Sequence, residues 1–424
     1  VTLVTEIKAD GLLLDIKITA MNTKNILVLG SNFGGATAAL ELKRKLKNRA
    51  NVSVVSPNPD FTFIPSMIWI PFGRREMKDI SFPIRPVMEK KGIKFIQDVA
   101  TEINPEENYV KTEKHGDIHY DYLVVSTGVQ MDFSILDNLD PKDGYIENIV
   151  IPKFAVRAHE KFNALVNNPG PVVVGASQGA SCMGAAYEYL FNMDKALRDK
   201  KVRDKVELTW FTPEPFLGHF GIGGITGGQT MLEAFMKLYN IKWYTNASVE
   251  KIEKDKLIMK DGTELPYKMA MIMPPFIGTE ALQHSPALVD EKGFVVCNEG
   301  YQHIKYRNVY GVGLAVEVKA PFQCAVPFGV PKTGFPTEVS AKIAVENIVS
   351  EINATNKFKK RDWGKIPAVC VMDAGHKEVI IMGDHLFKPR RFAVMIPNIL
   401  NDWTKLFIEK YFLFKFRRGL SMLP

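Results

Sequence analysis

Cys182 stands in Gly175-Ala-Ser-Gln-Gly-Ala-Ser-Cys-Met-Gly-Ala-Ala-Tyr-Glu188, a glycine-rich stretch with a thiol and, six residues on, a carboxylate. The preceding Pro171-Val-Val-Val174 reads as a buried parallel strand, so the glycines are expected to turn the chain sharply into a helix. A turn of this kind ordinarily cradles the phosphates of a dinucleotide; here it carries redox-capable sulfur. A cysteine at a helix N-terminus is expected to have its thiolate stabilised by the dipole and by free backbone N–H groups. The alternative is a small buried cysteine packing the helix on its sheet. The stretch alone leaves both open.

A second glycine turn lies near the start. Asn25-Ile-Leu-Val-Leu-Gly30 is a short apolar strand, Ser31-Asn-Phe-Gly-Gly35 completes the turn, and residues 36–46 follow a helical pattern. This order places a pyrophosphate on the helix N-terminus. The usual middle glycine is Asn32, a residue that tolerates left-handed backbone angles. The next strand, Asn51-Val-Ser-Val-Val55, ends at Ser56-Pro57 and not in the acidic residue that would hold a ribose hydroxyl. Ribose recognition is therefore expected from a hydroxyl or from backbone groups.

Both turns must sit on larger elements. With 424 residues, 46% of them hydrophobic, the chain can bury a large core in two to three domains. Strands alternate with helices, as in an α/β fold of two intercalated Rossmann-like domains. Asp121-Tyr-Leu-Val-Val-Ser-Thr-Gly128 reads as a strand and small-residue turn, followed by a crossover through Asp140-Pro-Lys-Asp-Gly144. Strands are expected near 242–244, 249–252 and 257–263. Asn308-Val-Tyr-Gly-Val-Gly313 is expected to return to the first domain, with a helix over 335–349.

The net charge of +7 suits an anionic cofactor or surface, but no basic tract is dense enough for nucleic acid. The cysteines at 182, 297, 324 and 370 show no CxxC or Cys/His spacing, so neither a disulfide scaffold nor a metal site is expected. No apolar run reaches the roughly 18 residues of a membrane-spanning helix. Residues 1–20 carry Glu6, Asp10 and Asp15, unlike a signal peptide, and are expected to extend outside the catalytic fold.

The segments Gly30-Ser-Asn-Phe-Gly-Gly35, Ser126-Thr-Gly128 and Tyr310-Gly-Val-Gly313 resemble the three flavin-contacting segments of the two-dinucleotide-domain flavoproteins. Within that group, the Cys182 stretch, Glu214-Pro-Phe-Leu-Gly-His219 and Val330-Pro-Lys-Thr-Gly334 are similar to the sulfide:quinone oxidoreductases and to the related flavocytochrome c sulfide dehydrogenase flavoprotein subunit. The resemblance covers nearly everything from Met21 to Pro424. It implies an FAD-binding domain over 21–130 and 286–350, a second Rossmann-like domain with Cys182 over 131–285, and a quinone and membrane region over 351–424.

The resemblance also implies roles. Cys182 and Cys370 match the cysteine pair beside the flavin whose bridge hydrogen sulfide attacks, with Glu188 and His219 as base and proton carrier. FAD contacts would come from Gly30, Asn32, Gly34, Gly35, Ser56, Val99, Thr127, Gly128 and Gly313, with Lys332 as a cation near the ring. A membrane quinone would meet Val369, Lys405 and Ile408, with Phe335 and Phe392 as further candidates. Sulfur would leave as a growing polysulfide.

Two departures from the family stand out. The late flavin segment reads Gly313-Leu314 where the broader superfamily has Gly-Asp, and the third cysteine of many members is missing from Val129-Gln-Met-Asp-Phe133. A non-covalent FAD and a two-cysteine cycle follow as expectations, with Cys297 and Cys324 structural. Two other functions stay in view: a type II NADH:quinone oxidoreductase, against which Gln178 and the Ser-Cys-Met helix entry argue, and a non-catalytic flavoprotein subunit.

Residues 398–418 read as a C-terminal helix in which Ile399, Leu400, Trp403, Leu406, Phe407, Tyr411 and Phe414 recur at spacings of three and four. From Lys388 onward eight basic residues face two acidic ones. A basic, aromatic amphipathic helix suits peripheral attachment to a lipid bilayer surface. The alternative is a helix packed on its own domain. A homo-oligomer is left open.

Overall fold

Two parallel sheets, each feeding one of the glycine turns, frame the molecule in a computed structural model that describes residues 23–398 and 403–421. The expected extension of residues 1–20, and Ile399, Leu400 and Asp402 of the C-terminal segment, lie outside the described residues. The first sheet runs in the order Val309–Gly311, Tyr122–Val125, Lys24–Leu29, Ala50–Val55, Lys94–Ile96. Its central strand pairs in parallel with both neighbours, Val28 opposite Val54 and Val124. Helices cover both faces of such a sheet, which is why its strands are continuous apolar runs.

The second sheet is also parallel, in the order Ile241–Tyr244, Leu208–Phe211, Val172–Ala176, Met269–Met273. The chain leaves the first sheet after Val125, builds the second, and returns with Val309–Gly311. Helix Gly334–Ile352 then packs on Phe33–Leu46, the helix of the first turn. The fold is α/β, with two intercalated Rossmann-like domains.

A third sheet is antiparallel: Ala368–Asp373, Glu378–Gly383 and Ala393–Asn398. Alternation along its strands divides the side chains between two faces. Val369, Met382 and Val394 share a register row and are 48%, 40% and 37% exposed. Cys370, Ile381 and Met395 form the next row, on the opposite face, where Ile381 and Met395 are buried.

The final helix, Trp403–Arg417, inverts the usual arrangement of a helix packed on its own domain. Trp403, Phe407 and Phe414 point outward at 76%, 70% and 52% exposure, while Lys405, Glu409 and Lys415 are buried with Leu413 and Phe416. Each buried charge has a partner: Lys405 pairs with Glu188 at 2.8 Å, Glu409 with Arg75 at 3.1 Å, and Lys415 with Glu338. An unpaired buried charge would be prohibitive, so these partners permit the inversion. Phe412 and Phe416 pack on Phe33 and Phe61, with ring centroids 5.4 Å apart for Phe33–Phe412 and 4.6 Å for Phe61–Phe416. Among the described residues no helix is long and apolar enough to cross a membrane.

Candidate functional site

Glycine shapes the first turn by what it leaves out. A Cβ on Gly30 would lie 2.2 Å from the Ser126 carbonyl oxygen, and one on Gly35 1.9 Å from the Gly30 carbonyl oxygen. Gly30 also has φ +99°, a backbone state that side chains rarely adopt. Asn32 does not take the left-handed angles expected of it. At φ −91° and ψ −158° it is extended, and it caps the helix. Its carbonyl side-chain oxygen accepts from the Phe33 N–H at 3.0 Å and its amide donates to the Thr62 carbonyl at 3.1 Å. The Asn32 backbone carbonyl takes the Ala36 N–H. The N–H groups of Gly34 and Gly35 are left as donors for an anion at the helix mouth.

Other segments close on the same point. A Cβ on Gly34 would sit 2.4 Å from Ser126 Oγ, and one on Gly313 2.6 Å from Thr337 Cγ2. The Thr127 hydroxyl is buried with no partner, and Gly128, at φ +76°, has open space where a Cβ would stand. A cradle that only glycines can line, next to an orphaned hydroxyl, fits the pyrophosphate of FAD. Ser56 donates to the Asn58 carbonyl at 3.0 Å and accepts from Ser31 at 2.9 Å, so its hydroxyl ties the turn to the strand end. The Val99 N–H and carbonyl are engaged by the Asp98 side chain and the Glu113 N–H. Lys332 is not a free cation. Its amine donates to the Leu314 and Val316 carbonyls at 2.9 and 2.8 Å and lies 3.2 Å from the centre of the Phe294 ring, and burial pushes its pKa down to about 7. It braces the segment that follows Gly313.

Cys182 is the N-cap residue of helix Met183–Asp199. The expected thiolate stabilisation is reversed: burial, opposed by the Ala185 N–H and reinforced by Glu188, pushes its pKa up to about 11. Desolvation therefore outweighs the helix terminus here. The Cys370 side chain is solvent-accessible, yet the surrounding protein pushes its pKa up to about 12, with the charges of Glu188 and Cys182 adding to the rise. Cys182, Cys370 and Glu188 are thus brought together from the second sheet's helix and the third sheet.

Glu188 joins these elements to the final helix. One of its carboxylate oxygens accepts the Asp373 N–H at 2.9 Å and the other the Lys405 amine at 2.8 Å. Burial raises its pKa and Lys405 opposes the rise. Lys405 accordingly faces a carboxylate, and is not open to a quinone as expected. The sequence reading missed Trp69, whose indole N–H donates to Asp373 at 2.6 Å with Arg74, Arg75 and Lys405 at 4.7, 5.1 and 5.3 Å from its ring centre. Only a Trp followed by paired arginines hinted at it. Of the other quinone candidates, Val369, Phe392 and Phe335 are exposed and Ile408 is half-buried.

His219 lies apart, boxed by Phe216, Phe322 and Phe328 at centroid distances of 4.6 to 5.2 Å. Its Nδ1 has no partner, and burial with Lys388 and Arg390 nearby pushes its pKa down to about 4. Burial thus penalises the charged imidazolium and favours the neutral ring. The loop bearing Phe322 and Phe328 clasps the Cys182 turn through Gly179 N–H to Pro327 at 2.7 Å and Gly329 N–H to Ala180 at 2.9 Å. The Gln178 amide bonds both backbone groups of Val249, at 3.0 and 3.1 Å, and the Phe211 ring lies 2.4 Å from where a Gly175 Cβ would be. Gln178 thus ties this second turn to the neighbouring strand, and Phe211 is the cross-strand neighbour of Gly175. Among the described residues no His, Cys, Asp and Glu cluster is placed to hold a metal ion.

Comparison with known proteins agrees with this geometry. Residues 24–327 match the family described as pyridine nucleotide-disulphide oxidoreductase. The chain is 34% identical to the sulfide-quinone reductase of Aquifex aeolicus, over 93% of this chain and 92% of that one. It is 27% identical to the mitochondrial sulfide:quinone oxidoreductase of Mus musculus, over 70% and 66%. The crystal structure of the Aquifex aeolicus sulfide:quinone oxidoreductase superposes with a TM-score of 0.89 at 33% identity, covering 94% of this chain and 93% of that one. The NDH2 of Plasmodium falciparum in complex with NADH shares the fold at a TM-score of 0.71 and 14% identity, over 94% and 96%. With its two glycine turns and its cysteine pair so placed, the chain belongs to the pyridine nucleotide-disulphide oxidoreductases and, among them, to the sulfide:quinone oxidoreductase family.

Proposed function

We propose that this protein oxidises hydrogen sulfide and reduces a quinone through non-covalently held FAD. What supports the reading is that the charges of Glu188 and Cys182 both act on Cys370, with Glu188 held between the third sheet and the final helix. Hydrosulfide attacks the Cys182–Cys370 disulfide of the oxidised enzyme; the S–S bond opens, one sulfur becomes a persulfide and the other leaves as a thiolate. Bound FAD supplies a two-electron acceptor for sulfur and a donor for the quinone. A thiolate at this site is poorly solvated, as the raised thiol pKa values indicate, so loss of its electron pair is favoured over its persistence. Glu188 is positioned to receive the proton of hydrosulfide, its charge held by Lys405. Repeated attack on the re-formed sulfur bridge lengthens a polysulfide.

Anaerobic addition of sulfide should bleach the visible flavin band, and a soluble quinone should restore it. Acid precipitation should leave the FAD in the supernatant, because the stretch Val129-Gln-Met-Asp-Phe133 after Gly128 has no cysteine to attach it. A flavin that sulfide leaves unchanged would end the reading. NADH as donor is disfavoured by Gln178, whose amide is committed to Val249 at the second turn.

The outward Trp403, Phe407 and Phe414 support attachment to a lipid surface, with exposed Lys388, Arg391, Lys410, Arg417 and Arg418 available to anionic headgroups. Each aromatic inserted into lipid contributes about 1.5–3 kcal/mol. Replacing all three with serine should weaken binding to anionic vesicles by more than about a hundredfold, while sulfide still bleaches the flavin. Unchanged co-sedimentation of the triple variant would place attachment elsewhere.

A further inference from the structure

Glu378 opens the middle strand of the third sheet and is fully buried. No salt bridge joins it to a cation among the described residues. One carboxylate oxygen accepts the Lys405 backbone N–H at 2.8 Å; the other accepts the Thr404 N–H at 3.2 Å and the Asn398 side-chain amide at 3.1 Å. Asn398 also donates to the Thr404 hydroxyl at 2.9 Å. Thr404 and Lys405 follow Trp403 in the first turn of the final helix, where backbone N–H groups have no helical partner. The negative charge of Glu378 is therefore balanced by the positive end of a helix from another element.

We infer that Glu378 is a positioning residue for the quinone site, an inference that rests on the quinone reading above. The helix bearing Lys405 and Ile408 and the sheet bearing Val369 and Cys370 meet through this carboxylate. Capping at the Lys405 N–H fixes the rotation of the helix at the residue whose amine reaches Glu188. Ile408, three residues on, lies close to the same face one turn later, so its place is fixed by the same cap. Glu188 holds Lys405 from one side and Glu378 holds its backbone from the other. Without Glu378 the buried Lys405 N–H and the part-buried Thr404 N–H lose their acceptor and the first turn frays.

The test is Glu378→Gln, which keeps the shape, removes the charge and turns one acceptor atom into a donor. The quinone concentration for half-maximal rate should rise roughly tenfold, the scale of a lost cap. The rate at saturating quinone should change less than about twofold. Anaerobic flavin reduction by sulfide should lose less than the quinone half-reaction, because Glu188 keeps the Asp373 N–H when the Lys405 turn loosens. Amide hydrogen exchange over residues 403–408 should quicken by about tenfold. Glu378→Asp, which keeps the carboxylate on a shorter stem, should recover part of both effects. It also carries the test if the glutamine variant does not fold. Unchanged quinone dependence, or equal loss in the sulfide and quinone half-reactions, would overturn the inference. If the wild-type flavin reduced by sulfide fails to pass electrons to quinone, the functional reading falls instead, and exchange at the helix start still decides the capping role.

Discussion

Cys182→Ser is expected to leave the flavin oxidised in excess sulfide, with the reduction rate down at least about a thousandfold. Serine has nearly the shape of cysteine, so the helix entry at Met183 should survive. Its oxygen neither holds a sulfane sulfur nor forms the exchangeable bridge that hydrosulfide opens. Cys370→Ser should do the same from the third sheet. Cys297→Ser is the control: that thiol packs against Gly311 in the first domain, among the apolar side chains around Val295, and faces neither Cys182 nor the third sheet. Stopped-flow absorbance of the flavin band under anaerobic conditions measures all three. Near wild-type rates in both serine variants would remove the sulfur bridge from the mechanism.

Gly35→Ala should empty the cofactor site. The added Cβ would stand 1.9 Å from the Gly30 carbonyl oxygen, a backbone atom that no side-chain rotation can move. Gly30 is itself held by its N–H bond to Val55 at 2.8 Å and by Ser126 behind it. Relief must come from shifting the helix away from the strand, which moves the Gly34 and Gly35 N–H donors off the pyrophosphate. Overpacking of this kind costs about 1–3 kcal/mol, and lost donors add to it, so FAD occupancy should fall at least roughly tenfold. The ratio of flavin to protein absorbance after gel filtration reports it, and stoichiometric FAD in the variant would show that the turn is more pliant than its packing indicates.

Both turns were legible in the sequence because glycine chemistry is local: a strand, a close approach and a helix start leave their mark within a dozen residues. What those turns do in detail was not. Asn32 was expected to be left-handed, but the carboxamide found a better use as a helix cap. Cys182 was assigned a stabilised thiolate from its place on the helix, whereas its pKa is decided by burial from segments far along the chain. The hairpin around Asp373 had a readable signal, the apolar Val369, Val371 and Val379, Ile381 flanking Ala374-Gly375, yet it was passed over in favour of the cysteine it carries. The helical period of the C-terminal aromatics identified a face but not its direction. That direction depends on Glu188, which lies 217 residues before Lys405.

The buried charges of the last helix have a mechanical consequence. Lys405 is tied to the helix of the second sheet, Glu409 to the Arg75 loop after the first sheet's Trp69 segment, and Lys415 to the helix that packs on the first glycine turn. Ten residues of α-helix, about 15 Å of rod, are thus pinned at three points to parts of both dinucleotide domains. The rod works as a splint across the joint between them, removing the swivel that such a two-lobed architecture would otherwise permit. Ion pairs have a narrower choice of geometry than apolar contacts, so the splint has one seating in place of a range of slightly different ones. Of the three pins, Lys405 is the one that joins the helix bearing the outward aromatics directly to the Glu188 carboxylate.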